Sequence, residues 1–143
     1  MPTETWRVVA DAFRRLGTEQ HASAASWTAG EIAVWAIVNV RCQIDMGGMS
    51  TVFTDCDVHP RDFIQSLRLL GETGLASVWA DACATLEREG FLAEGRWTGA
   101  DASAHDHLFD SLSEVVADRL WDLDDRLAAA LSERSPGRQG RSG

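Results

Sequence analysis

The sequence predicts an all-α fold, a bundle of about five helices. Apolar residues return at intervals of three and four along nearly the whole chain, no segment sustains the alternation of a strand, and glycines cut the pattern into helix-length pieces.

Trp6, Val9, Phe13 and Leu16 line one face of a first helix that Gly17 ends, and the polar, Ala-rich stretch 18–27 is a connector. A second helix starts at Thr28, where the hydroxyl caps a free N–H and Glu31 reaches back, a capping box. Its buried face is expected to hold Ile32, Trp35, Ala36, Asn39, Cys42 and Met46. Gly47-Gly48 stops it, because glycine accepts the left-handed backbone common at helix C-termini. A short helical turn over 49–53, containing Phe53, leads to a loop over 55–59. A third helix then has Pro60 in its first turn, Asp57 as a candidate cap, and Phe63, Ile64, Leu67 and Leu70 facing the core. Gly71 and Gly74 bracket a joint to a fourth helix, its antiparallel neighbour, with Leu75, Val78, Trp79, Ala82, Cys83 and Leu86 inward and Gly90 at its end. Residues 91–103 lack periodicity and read as a long loop pinned by Trp97. A last helix over 104–133, about 45 Å long, carries Leu108, Leu112, Val115, Leu120, Leu123, Leu127 and Leu131 as its apolar seam. The domain spans 1–133, and the tail 134–143 has nothing to bury and is expected to be disordered.

A chain of 143 residues with 45% hydrophobic and 24% charged residues is long enough to build a core without disulfides or a structural metal. Thirteen basic against 22 acidic residues, a net charge of −9, disfavour direct binding to nucleic acid or anionic membrane. The macromolecular partner this balance suits is a basic protein, and a homodimer is compatible with it. The first residues lack a basic start leading into an apolar run, so the expected location is cytoplasmic. The longest apolar run, Ile32 to Val38, is seven residues, well short of the roughly 20 of a membrane span. Cys42, Cys56 and Cys83 form no C-x-x-C pair and read as reduced thiols, with Cys42 and Cys83 buried.

No P-loop, dinucleotide fingerprint, H-E-x-x-H or G-x-S-x-G pattern occurs. Asp55-x-Asp57-x-His59 offers two carboxylates and an imidazole on one side of an extended loop, a candidate metal site for a small metal-dependent hydrolase. His105-x-His107 beside Asp106 is a thinner candidate, equally explained as an exposed helix start with a favourable acidic charge. Asn39 and Asp45 are the polar residues expected near the core, supporting the glycine turn. Of six tryptophans, Trp35 and Trp79 read as packing, while Trp97 and Trp121 fall off the apolar stripes and are candidate interface anchors. No catalytic residue, cofactor or metal is assigned, and the expected class is a non-enzymatic binding protein.

Charge carries the functional expectation. Residues 101–125 hold eight acids against Arg119 alone. Asp106, Asp110, Glu114, Asp118 and Asp122 repeat every four residues, which on one continuous helix makes a slowly winding ridge about 24 Å long. Asp125 extends the acidic set. These six residues are the expected partner-binding group, and a solvated face is the alternative. An immunity-type inhibitor of a basic toxin or nuclease would use the same electrostatics.

The order of features also resembles a bacterial family of small helical domains typified by an acidic DNA-mimic protein. The match rests on residues 43–53 around Gly47, Gly48 and Phe53, set against an Asn-Gly-Gly-Phe-type turn, on Leu67 to Thr73 against an "IGA"-like joint, and on Leu120 to Leu127 against a Leu-Asp motif. It covers residues 28–131, with Met46 and Met49 standing where the family has Asn and Phe. The resemblance implies an all-α bundle, no cofactor, and a DNA-binding regulator as the basic partner.

Overall fold

The computed structural model describes residues 4–23, 26–48, 52, 58–89, 92–93, 96–97 and 106–132. Within them the fold is all-α: α1 (Glu4–Ser23), α2 (Ala29–Gly47), α3 (Pro60–Leu69), α4 (Thr73–Arg88), α5 (Asp106–Leu120) and α6 (Asp124–Ser132). Leu92–Ala93 and Arg96–Trp97 add an antiparallel two-residue pairing, β1 and β2, inside the segment expected to be an irregular loop. Met49, Phe53, Asp55, Cys56, Asp57, Gly90, His105 and the tail, for which the sequence carries expectations, lie outside the described residues.

The helix with the most apolar sequence becomes the centre of the bundle. α2 packs against α1, α3, α5 and α6, and Ala33, Val34, Ala36, Ile37, Val38, Val40 and Arg41 are all buried. A helix covered from several sides has no single inner face. The expected one-sided stripe is therefore wrong in detail: Ile32, Trp35 and Asn39 are half-buried, while Cys42 and Met46 are exposed. The start is as expected, since Thr28 Oγ1 accepts from the Glu31 N–H at 3.1 Å and the Thr28 N–H donates to Glu31 Oε1 at 2.9 Å. Burial raises the Glu31 carboxyl pKa, but the Thr28 hydrogen bonds and the Arg15 guanidinium outweigh it and hold the group below its ordinary value. The end is also as expected. Gly48 has φ +86° with an extended ψ of 175°, a conformation open essentially to glycine, and its N–H closes on Ile44 O at 2.8 Å.

α1 runs straight through Gly17 to Ser23. A mid-helix glycine costs only about 1 kcal/mol, and the burial of Val9 and Leu16 and the stacking of Phe13 on Trp35 (5.1 Å between rings) hold the helix in place across it. At the start of α3 the cap is His59: its Nδ1 accepts from the Arg61 N–H at 3.1 Å, with Pro60 next in line. α3 and α4 lie side by side, with Phe63 edge-on to Trp79 at 4.6 Å, and turn through Leu70, Gly71 (φ +83°) and Glu72. Gly74 belongs to the first turn of α4, and Val78, expected inward, is 37% exposed.

The expected single C-terminal helix is two helices. α5 ends at Leu120, Trp121 and Asp122 form a turn, and α6 restarts at Asp124. Phe109, Leu112, Val116 and Leu120 are the buried residues of α5, so Val115 turns outward at 47% exposure. Arg41 holds the break: from the buried centre its Nε donates to Leu120 O at 2.8 Å, satisfying a terminal carbonyl, and its Nη1 lies 2.8 Å from Asp124 Oδ1. The break lets Leu123 and Leu127 both reach full burial, with α6 lying across α1 and α2. Contact there is at backbone range, because a Cβ on Gly30 would stand 2.3 Å from Ala130 O.

Candidate functional site

The expected acidic residues sit on the outer side of α5 and on the junction to α6. Asp110, Glu114 and Asp118 are exposed on α5, Asp122 is exposed on the turn, and Asp125 is exposed in the first turn of α6. Asp106 opens α5, and its side chain lies outside the described set. Three helical steps from Asp106 to Asp118 span about 18 Å. The continuous five-member ridge is thus corrected: helix geometry stops at Leu120, and Asp122 belongs to the turn.

The fate of the nearby arginines sets the charge of this face. Glu72, 6% exposed at the joint before α4, accepts Arg119 Nη2 on Oε1 at 2.8 Å and Arg126 Nη1 on Oε2 at 2.7 Å. Arg126 Nη1 also donates to Leu70 O at 2.8 Å. The Glu72 carboxylate is turned to these arginines and makes no side-chain cap bond to α4 among the described residues. Arg41 is taken by Leu120 and Asp124. The cations of this region are therefore drawn onto two inner carboxylates, and none of Asp110, Glu114, Asp118, Asp122 or Asp125 forms an ion pair with a described residue. Trp121, 45% exposed, lies over the Arg41 guanidinium at 5.3 Å, beside Asp122.

Asp45 is exposed, and Asn39 Nδ2 donates to Trp35 O within its own helix at 2.8 Å, so neither braces the glycine turn. Trp79 is buried as expected; Trp97 lies on β2. Cys83 is buried and its thiol is pushed up to about 12 by burial, with a further rise from Glu87, whereas Cys42 is exposed, against expectation. His107 is exposed, and among the described residues no group of three His, Cys, Asp or Glu side chains is arranged to hold a metal. No described helix is long and apolar enough to cross a membrane.

Sequence reasoning missed Arg41 and Glu72, the two buried charges that organise this region. Arg41 follows an apolar run and Glu72 follows a helix-ending glycine, and neither context signals burial.

Among the described residues, two surface recesses stand out. One, about 500 Å³, lies between the start of α2 and α3, with Ile32 and Leu69 beside Asp62 and Arg68. The other, about 260 Å³, lies between α4 and α5 and is mostly apolar. Comparison of the chain with protein-family models, with curated proteins and with solved structures finds no match.

Proposed function

We propose that the protein is a non-enzymatic acidic binding module that covers a basic surface of a protein partner, with a DNA-binding regulator as the preferred class. The observation that carries this reading is the inward capture of Arg119, Arg126 and Arg41 by Glu72 and Asp124. It leaves Asp110, Glu114, Asp118, Asp122 and Asp125 exposed with no ion-pair partner among the described residues. A face that only needed solvation would gain from interspersed cations, since like charges four apart on a helix repel by a few tenths of a kcal/mol, roughly. Spaced carboxylates along α5 offer a basic surface a line of negative charge, as a phosphate backbone does, at wider spacing.

The test uses the wild-type protein as bait and measures the affinity of the recovered partner at two salt concentrations. The comparison is a variant with Asp110, Asp118, Asp122 and Asp125 changed to Asn and Glu114 to Gln. The reading expects binding that weakens steeply with salt, slower association in the variant, and undiminished stability. Equal affinity of variant and wild type would reject it.

A further inference from the structure

We propose that the groove between α4 and α5 receives a basic amphipathic helix of the partner. The inference rests on the acidic-face reading above and adds the part of the partner that docks. Val78 and Ala82 of α4 face Leu108, Leu112 and Val115 of α5 across a recess of about 260 Å³. Val78 and Val115 are 37% and 47% exposed, so the recess opens to water as an apolar slot. From Val78 to Thr85, and from Leu108 to Val115, each wall is eight residues long, or about 10 Å from end to end. That length takes two turns of a helix, which inserts apolar side chains spaced three, four and seven apart.

The rim selects the charge of the occupant. Asp81 lines the α4 side. On α5, Asp118 stands three residues beyond Val115, beside the end of the groove, and Glu114 lies one turn before it on the exposed outer face of the helix. None of these three carboxylates forms an ion pair with a described residue. Arg88, at the end of α4, bonds Thr85 Oγ1 at 3.3 Å, which places a cation at the Thr85 end of the groove and leaves the acidic stretch beside Asp81. An apolar floor with an acidic rim complements a helix with an apolar stripe flanked by Lys or Arg. A second copy of this chain, net charge −9, would bring a like-charged rim, and the chain's own segment 133–143 has arginines but no large apolar side chain.

Two synthetic peptides of equal charge serve as probes for the full-length protein: a 14-residue Leu/Lys amphipathic helix and a flexible Lys/Gly peptide. Titration calorimetry is run on wild type, on Val78→Ser/Val115→Ser, and on Asp110→Asn/Glu114→Gln/Asp118→Asn, with circular dichroism confirming each fold. The amphipathic peptide should bind wild type at least about tenfold tighter than the flexible one, and the double Ser variant should lose about tenfold for the amphipathic peptide alone. The neutralised variant should lose affinity for both peptides. If the Ser variant binds the amphipathic peptide as wild type does, the groove is not the docking site and the acidic reading stands. If neutralisation leaves both peptides unaffected, the acidic reading itself fails. Self-association by sedimentation that the Ser variant abolishes would instead assign the groove to a second copy.

Discussion

Replacing Asp124 tests the buried charge that divides the C-terminal helices. Arg41 is 2% exposed, and its Nη1 lies 2.8 Å from Asp124 Oδ1. Its Nε is held by Leu120 O, and its Nη2 has no hydrogen-bond partner among the described residues. In Asp124→Ala the guanidinium keeps one carbonyl and the Trp121 ring but loses its counter-charge. Removing one partner of a buried pair typically costs about 3–5 kcal/mol. Asp124 is 27% exposed, so water softens the loss and the lower end, about 3 kcal/mol, is expected. Arg41→Met should cost less, about 1–2 kcal/mol, because the stranded carboxylate is partly hydrated and sits at the favourable N-terminal end of α6. The double variant should be no less stable than Asp124→Ala, which leaves a coupling of about 1–2 kcal/mol. For 143 residues, 3 kcal/mol corresponds to a drop of about 10 °C in Tm. Urea and thermal unfolding followed by circular dichroism measure all three. Additive single effects, or a loss below about 1 kcal/mol in Asp124→Ala, would refute the account of Arg41 as a paired buried charge.

Gly30→Ala should destabilise by about 1–3 kcal/mol in urea unfolding, because its Cβ would meet Ala130 O at 2.3 Å and both partners are backbone in packed helices. Glu31, with its carboxyl held below the ordinary 4.5, stabilises the fold fully above that pH, and the contribution disappears as the pH falls through the lowered folded value. The stability gap between wild type and Glu31→Gln should therefore narrow below pH 4.5, and a gap that stays constant with pH would contradict the capping box. Peptide-resolved alkylation at pH 8 should label Cys42 and spare Cys83, whose thiol is buried and pushed up to about 12; equal labelling in the native protein would contradict that burial.

The helical class, and the local signals that depend on adjacent residues, are legible in the chain before any tertiary contact forms. Thr28 with Glu31, Pro60, and the Gly47-Gly48 stop each act through backbone groups within a turn of themselves, so they work whatever the rest of the chain does. The surplus of acid near the C-terminus was equally plain, because charge is a property of composition. Packing sets where helices continue and where they break. Gly17 carries a weak stop signal that the packing of α1 overrides, and the seam from Leu108 to Leu131 reads as one helix until Arg41, 79 positions before Leu120, claims its carbonyl. It also decides which charges remain for a partner. Arg119 and Arg126 look like neighbours able to neutralise the acids of α5 and α6, yet both reach Glu72, about 50 positions away. Such pairings join residues whose separation in sequence is fixed by nothing local. They form only when the apolar faces have packed, because burial then makes an unpaired charge too costly to leave alone.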